Sequence, residues 1–160
     1  MLIVQLSDLH VGSQFQPQVF EKVVEEVNSL NPDCIVFTGD LTNEGLKKEY
    51  EKAKDLISNF KAKKMITISG NHDYRNTGYL SFKKFFPFEA VNELSDEIVL
   101  VTLGTARPDR DEGEVGYRQN LWLERTLKKH QNKVKIVAMH HHLVGIPDTG
   151  SDRLTVIDAG

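Results

Sequence analysis

The sequence contains one cysteine and no long apolar run, and each shortage excludes a class of protein. Cys34 is the single cysteine among 160 residues, so an intrachain disulfide is excluded and a reducing compartment is expected. No stretch approaches the roughly 18 apolar residues that cross a bilayer, and the N-terminus lacks the basic and apolar regions of a signal peptide. We therefore expect a cytoplasmic protein without a membrane span.

An excess of basic residues is also missing. The 20 lysines and arginines and the 23 aspartates and glutamates leave a net charge of −3. A dedicated duplex-DNA-binding protein carries a basic excess, so nucleic acid is not the favoured partner. The hydrophobic fraction of 39% and the charged fraction of 27% are those of an ordinary globular domain.

Short apolar runs predict a βαβαβ array in the first half. The runs at residues 2–4, 34–37 and 65–68 lack alternation, which is typical of parallel strands buried on both faces. Apolar residues at helical spacing predict helices at 20–30 and 46–57 between the strands. Thr42 or Asn43 is the expected N-cap of the second helix, because their side chains accept hydrogen bonds from free N–H groups.

The second half predicts further elements with less regular spacing. Residues 79–86 read as a short aromatic helix and 121–127 as another helix. A strand is expected at 98–103, with residues 91–94 as its pairing partner, and a buried strand at 134–139.

Polar residues follow four of the predicted strands directly. They are Asp8 and His10, then Gly39-Asp40, then Gly70-Asn71-His72-Asp73, and finally three histidines at 140–142. Ligands of open α/β sheets bind beyond the carboxyl ends of strands, so we expect these residues at one edge of one sheet. Carboxylate, imidazole and amide groups suit Mn²⁺, Fe²⁺, Co²⁺ or Zn²⁺. If strand geometry persists, residues 8 and 10 face the same way and bind one ion.

These blocks resemble the calcineurin-like metallophosphoesterases. The pattern of that family is Asp-x-His, Gly-Asp, Gly-Asn-His-Asp/Glu, a histidine after a strand, and Gly-His-x-His. The resemblance covers residues 2–142 and implies an α/β fold, the metallophosphoesterase αββα sandwich, with one domain over residues 1–160. Because the sequence contains no Gly-His-x-His, we expect this domain to be incomplete at the C-terminus, as the N-terminal portion of a longer protein.

The resemblance implies two divalent metal ions, drawn from Mn, Fe, Zn, Co or Ni. Asp8 and His10 would hold one ion, and Asp40 would bridge the two. Asn71 and His140 would hold the second. A metal pair of this kind clamps a phosphate ester and activates water for attack on phosphorus.

The resemblance also implies the catalytic residues. His72 would be the catalytic imidazole, oriented by Asp73. His142 is the less favoured alternative to His140 as the metal ligand. Gln119, Trp122 and Leu123 give a weaker similarity to the branch that contains class III cyclic nucleotide phosphodiesterases.

Three functions remain open from the sequence. Metal-dependent hydrolysis of a phosphate ester, most often a diester, is the leading hypothesis. A nuclease of the Mre11/SbcD kind is the second. The third is a catalytically impaired metal-binding domain, which the missing Gly-His-x-His favours. The sequence leaves homodimer formation open.

Overall fold

Two three-stranded sheets form the framework of the protein. The computed structural model describes residues 1–148 and 154–159. The first sheet has the order β1-β2-β3 and is parallel, with β1 at Ile3–Leu6, β2 at Cys34–Phe37 and β3 at Lys64–Thr67. Helices α1 (Pro17–Leu30) and α2 (Lys47–Ile57) connect these strands. The predicted βαβαβ array is therefore confirmed.

The second sheet contains the remaining strands. β4 (Val91–Glu93) runs antiparallel to β5 (Ile98–Thr102), and β6 (Val134–Ala138) runs parallel to β5. A 3₁₀ turn (His72–Tyr74) and helix α3 (Gly78–Phe85) precede this sheet, and α4 (Tyr117–Lys129) connects β5 to β6. The expectation of a single sheet edge is wrong, because β6 and the histidines after it belong to the second sheet.

Strand β2 shows how the layers pack. Ile35 and Phe37 enter the core that α1, α2 and α3 cover, whereas Cys34 and Val36 face the opposite way and pack with Leu100 of the second sheet. The two-residue period of a strand thus divides β2 between the two cores. All four β2 residues are buried, but β1 and β3 are partly exposed because each has a strand neighbour on one side only. Burial on both faces was expected for all three strands and holds only for the central one.

Helix boundaries follow local signals with one exception. Pro17 occupies the first turn of α1, where its missing N–H costs nothing. At the start of α2 the expected cap at Thr42 or Asn43 is wrong: the N-cap is Leu46, and the Glu49 carboxylate accepts hydrogen bonds from the N–H groups of Glu44 and Leu46. Among the described residues, none of the helices is both long and apolar enough to cross a membrane.

Candidate metal centre

The first two polar blocks lie on neighbouring loops that are joined through their backbones. The Asp8 N–H donates to the Gly39 carbonyl at 3.1 Å, and the His10 N–H donates to the Asp40 carbonyl at 2.9 Å. Asp8, His10 and Asp40 have φ values of 60°, 45° and 53°. The expected continuation of strand geometry to residue 10 is therefore wrong, because β1 ends at Leu6 and the loop turns through left-handed conformations.

Two glycines allow the loops to approach closely. Gly39 has a φ of +107°, and a Cβ there would lie 2.6 Å from both the Gly70 nitrogen and the His140 Nδ1. A Cβ on Gly70 would lie 2.1 Å from the Asp40 Oδ1. Any side chain at either position would displace the groups around Asp40, which explains why glycine precedes the polar residue in both blocks.

Asp40 is the buried centre of the cluster, with 3% of its surface exposed. Its Oδ1 accepts a hydrogen bond from the His72 N–H at 2.9 Å. Its Oδ2 lies 3.7 Å from the Nε2 of His10 and 3.6 Å from the Nε2 of His140. One carboxylate oxygen therefore faces two imidazole nitrogens that come from different sheets.

Asn71 and His140 face each other with two electron-rich atoms. The His140 Nδ1 lies 2.8 Å from the Thr38 carbonyl, which only accepts, so Nδ1 carries the proton. The His140 Nε2 lies 3.0 Å from the Asn71 Oδ1. In a neutral ring that nitrogen also only accepts, so the two atoms face each other without a proton between them, an arrangement that a bound cation would satisfy. Imidazole, amide oxygen and carboxylate together fit a borderline divalent metal.

Asp8 and His10 complete the other side of the cluster. The Asp8 Oδ1 lies 3.5 Å from the His10 Nε2. The carboxylate of Asp8, followed by that of Asp40, raises the pKa of His10 against the effect of burial, and the His10 hydrogen bond lowers the pKa of Asp8. The His10 Nδ1 is buried and has no hydrogen-bond partner within residues 1–148 and 154–159.

His72 reaches the same cluster. Its Nδ1 lies 2.8 Å from the Asn43 carbonyl, which fixes the proton on Nδ1 and leaves Nε2 as the accepting nitrogen. Ligand atoms of His10, Asp40 and His72 lie within 4.8 Å of one another. The geometry thus allows His72 to serve as a catalytic imidazole or as a further metal ligand.

Asp73 has a different position from the one expected. Its buried carboxylate accepts hydrogen bonds from the N–H groups of Leu41, Thr42 and Gly70 at 2.9–3.3 Å and from the Thr42 hydroxyl at 2.9 Å. Burial raises the pKa of Asp73 to about 6, although these donors favour the ionised form. The group that orients the His72 ring is the Asn43 carbonyl, so the expectation that Asp73 orients it is wrong; Asp73 joins the two loops.

The three consecutive histidines point to three environments. His140 lies beside Asp40 and Asn71, as described above. His141 is 3% exposed, and its ring nitrogens lie 2.7 Å from the Thr105 hydroxyl and 3.1 Å from the Asp111 carbonyl. Burial, followed by the neighbouring His140, lowers the pKa of His141 to about 4. His142 is exposed, and its carbonyl accepts the Val156 N–H at 2.8 Å.

A cavity of about 340 Å³ is lined by all of the predicted metal-binding and catalytic residues except Asp73. Sequence reasoning missed Thr105 and Asp111, which contact the motif residues but lie in a charged loop without a motif of its own. The cavity is lined by Gln5, Ser7, Asp8, His10, Thr38, Asp40, Asn71, His72, His140, His141, His142 and Leu154.

Comparison with known families agrees with this geometry. The sequence model of the calcineurin-like phosphoesterases matches residues 1–157. The chain belongs to the calcineurin-like phosphoesterase family. The resemblance predicted from the motifs is therefore confirmed, and with it the α/β class and a family that uses divalent metals.

Several curated relatives of this chain are phosphodiesterases by name. A probable glycerophosphodiester phosphodiesterase from Arcobacter nitrofigilis is 29% identical over 91% of this chain and 59% of its own length. A cAMP/cGMP dual specificity phosphodiesterase from Mycobacterium tuberculosis is 31% identical over 88% of this chain and 49% of its own length. The chain thus spans about half to three-fifths of these relatives.

Proposed function

We propose that this phosphoesterase hydrolyses phosphodiesters with two divalent metal ions bound in the cavity. Asp8 and His10 would hold one ion, Asn71 and His140 the other, and Asp40 would bridge them. The observation that carries this proposal is the position of the Asp40 Oδ2, 3.7 Å from the His10 Nε2 and 3.6 Å from the His140 Nε2. An oxygen that lies this close to two imidazole nitrogens from separate loops is suited to bridging two ions.

The charge of the site supports an anionic substrate. Two divalent ions carry four positive charges, and the carboxylates of Asp8 and Asp40 cancel two of them. A positive cavity therefore remains in a chain whose net charge is −3. When bound, the ions would supply Lewis-acid stabilisation of the phosphate and a water of lowered pKa.

His72 would act on the leaving group. The Asn43 carbonyl and the backbone bond to Asp40 hold this residue at the cavity wall. From there the ring, once Nε2 has taken up a proton, would donate that proton to the departing oxygen, an effect of about 10²–10⁴-fold in general acid catalysis. Asp73 would support this step indirectly, because it joins the loop of His72 to that of Asp40.

Relatives that match most of this chain favour small phosphodiesters as substrates. Their names concern glycerophosphodiesters and cyclic nucleotides. A nuclease of the Mre11/SbcD kind has less support, because the chain has no basic excess.

The cytoplasm is the proposed compartment, since Cys34 is a free buried thiol. Homodimer formation and a single domain over residues 1–160 stay predictions.

Metal-dependent turnover is the direct test. The chain, stripped of metal with EDTA, is assayed with bis-p-nitrophenyl phosphate, cAMP and single-stranded DNA, with and without Mn²⁺; where the coding sequence continues, the longer product is assayed too. We expect Mn²⁺-dependent hydrolysis of the first two compounds. Preferential cleavage of DNA would favour the nuclease instead, and Mn²⁺ binding without any turnover would favour the metal-binding domain.

Substitutions separate ligands from catalytic groups. Asp40→Asn should weaken Mn²⁺ binding and abolish turnover, whereas Asp96→Asn removes one exposed carboxylate remote from the cavity and should change neither. Equal behaviour of these two variants would overturn the proposal. His72→Ala should retain Mn²⁺ binding while losing turnover; loss of binding would make His72 a ligand.

A further inference from the structure

The side-chain amide of Asn71 is held at both ends. Its Oδ1 faces the His140 Nε2 at 3.0 Å, and its Nδ2 donates to the Asp111 Oδ1 at 3.3 Å. We infer that Asp111 is a positioning residue, which aims the Asn71 oxygen at the second metal ion. This inference rests on the proposed function, because it gives Asn71 the role of a ligand.

The need for such a residue follows from the shape of an amide. The oxygen and the NH₂ group of asparagine are nearly equal in size, so rotation by a half turn exchanges a metal ligand for two hydrogen-bond donors. An ionised carboxylate only accepts hydrogen bonds. Asp111 therefore stabilises the orientation in which the NH₂ group points away from His140 and the oxygen points toward it. Outer groups of this kind commonly fix metal ligands.

Asp111 is itself held from two directions. Its carbonyl lies 3.1 Å from the His141 Nε2, and the other nitrogen of that ring lies 2.7 Å from the Thr105 hydroxyl. Its carboxylate lies 3.6 Å from the Arg75 guanidinium, which also contacts Glu44 at 3.1 Å. The exposed Asp111 carboxylate thus has the Arg75 guanidinium as a partner in addition to the Asn71 amide.

His140 and His141 connect the loop of Asp111 to the cluster around Asp40. A Cβ on Gly113 would lie 2.5 Å from the His141 ring, so the loop passes directly against that ring. His140 and His141 are neighbours in the chain, and their rings are perpendicular at 4.9 Å. The His140 ring faces Asp40, and the His141 ring contacts the backbone carbonyl of Asp111. The position of Asp111 is thereby coupled to that of His140.

Three variants of the loop separate orientation from charge. Asp111→Ala removes both the acceptor and the charge, and Asp111→Asn removes the charge but retains an acceptor oxygen. Glu112→Ala removes the same charge from the next residue, whose side chain makes no hydrogen bond or ion pair in the described part of the chain. The readouts are Mn²⁺ affinity by calorimetry, turnover of bis-p-nitrophenyl phosphate, and the ¹⁵N NMR signals of the Asn71 amide without metal.

We expect Asp111→Ala to weaken Mn²⁺ binding at one of two sites by about 10–100-fold, the usual effect of losing an outer group. It should also shift and broaden the Asn71 amide signals. Asp111→Asn should recover most of the affinity, and Glu112→Ala should bind as the unmodified chain does. Unchanged affinity in Asp111→Ala would overturn the inference. So would equal losses in Asp111→Ala and Asp111→Asn, because charge alone would then explain the effect.

Asn71→Ala distinguishes failure of this inference from failure of the proposed function. If Asn71→Ala does not weaken Mn²⁺ binding, Asn71 is not a ligand and the proposed metal site is wrong. If Asn71→Ala weakens binding and Asp111→Ala does not, only the inference about Asp111 fails. When both hold, the double variant should bind no more weakly than Asn71→Ala, since Asp111 acts through Asn71.

Discussion

The hydroxyl of Tyr50 links helix α2 to the loop that carries Asn71 and His72. Tyr50 is fully buried, and its hydroxyl donates to the carbonyl of Asp73, with the Gly78 carbonyl at 3.4 Å. The ring stacks on Phe85 with 5.3 Å between centroids. Burial raises the pKa of this phenol, so the hydroxyl remains a donor over the whole working pH range.

Tyr50→Phe removes this donor and leaves the aromatic packing in place. The lost hydrogen bond contributes a net ~1 kcal/mol, and an unsatisfied buried carbonyl adds a penalty of about 1–3 kcal/mol. We therefore expect the free energy of unfolding to fall by about 2–4 kcal/mol. For a chain of this length, that corresponds to a Tm about 4–16 °C lower. Urea unfolding followed by circular dichroism measures the change.

Tyr79→Phe is the matched control. Tyr79 is exposed, and its hydroxyl has no hydrogen-bond partner in the described part of the chain, so removing the oxygen should change the stability by less than about 0.5 kcal/mol. If Tyr50→Phe is as stable as Tyr79→Phe, the hydroxyl does not support the Asp73 backbone. The reasoning that α2 stabilises the loop of Asn71 and His72 would then be refuted.

Three further predictions concern other parts of the molecule. Gly39→Ala should cost about 3 kcal/mol or more in urea unfolding, because its φ is left-handed and its Cβ would overlap Gly70 and His140, whereas Gly104→Ala meets nothing within 4 Å and should be tolerated. Burial raises the pKa of the Cys34 thiol, so an aromatic disulfide reagent should label it slowly in the native chain and rapidly in urea; equal rates would contradict its burial. Mn²⁺ at about 100 times its Kd should raise the free energy of unfolding by about 2.7 kcal/mol for each occupied site, and Asp40→Asn should abolish this gain in calorimetry.

Hydrophobic patterning predicted the elements of the fold well. Strand β2 matches its predicted bounds of residues 34–37, because a continuous apolar run is typical of a strand that is buried on both faces. The pairing of β4 with β5 was also predicted correctly. The observed helix bounds differ from the predicted ones by a few residues. Helix α4 extends over Tyr117–Lys129, although its apolar residues alone indicated 121–127. Polar ends of helices carry little periodic signal.

The division of strands between two sheets was not readable from residues alone. A parallel strand after a helix predicts a crossover but not the sheet that receives it. The choice depends on packing between Val36 of the first sheet and Leu100 of the second, which are far apart in the chain. The αββα expectation came from the family resemblance, and the expectation of one sheet edge came from local pattern; only the first agrees with the structure.

Site residues were predictable where they belong to a sequence motif. They were not predictable where only the folded structure brings them to the site. Asp40 and Asn71 follow glycines at strand ends, which singled them out. Asp111 lies in a loop with several other acidic residues, and nothing in the sequence distinguishes it from Glu112. Its contact with Asn71 crosses 40 residues of chain. Long-range hydrogen bonds of this kind depend on the folded backbone and have no local signal.

The cluster of Asp8, His10 and Asp40 owes its shape to backbone pairing that continues after the strands have ended. All three residues have left-handed φ values, a conformation that costs about 1–2 kcal/mol for ordinary side chains. Hydrogen bonds from the N–H groups of residues 8, 10 and 11 to the carbonyls of residues 39, 40 and 41 offset this cost. The two loops are thus aligned by main-chain hydrogen bonds as well as by the Asp73 carboxylate. Asp8, His10 and Asp40 lie together because their loops are paired. The cavity therefore forms when the chain folds, and binding of a metal ion would require little movement of these side chains.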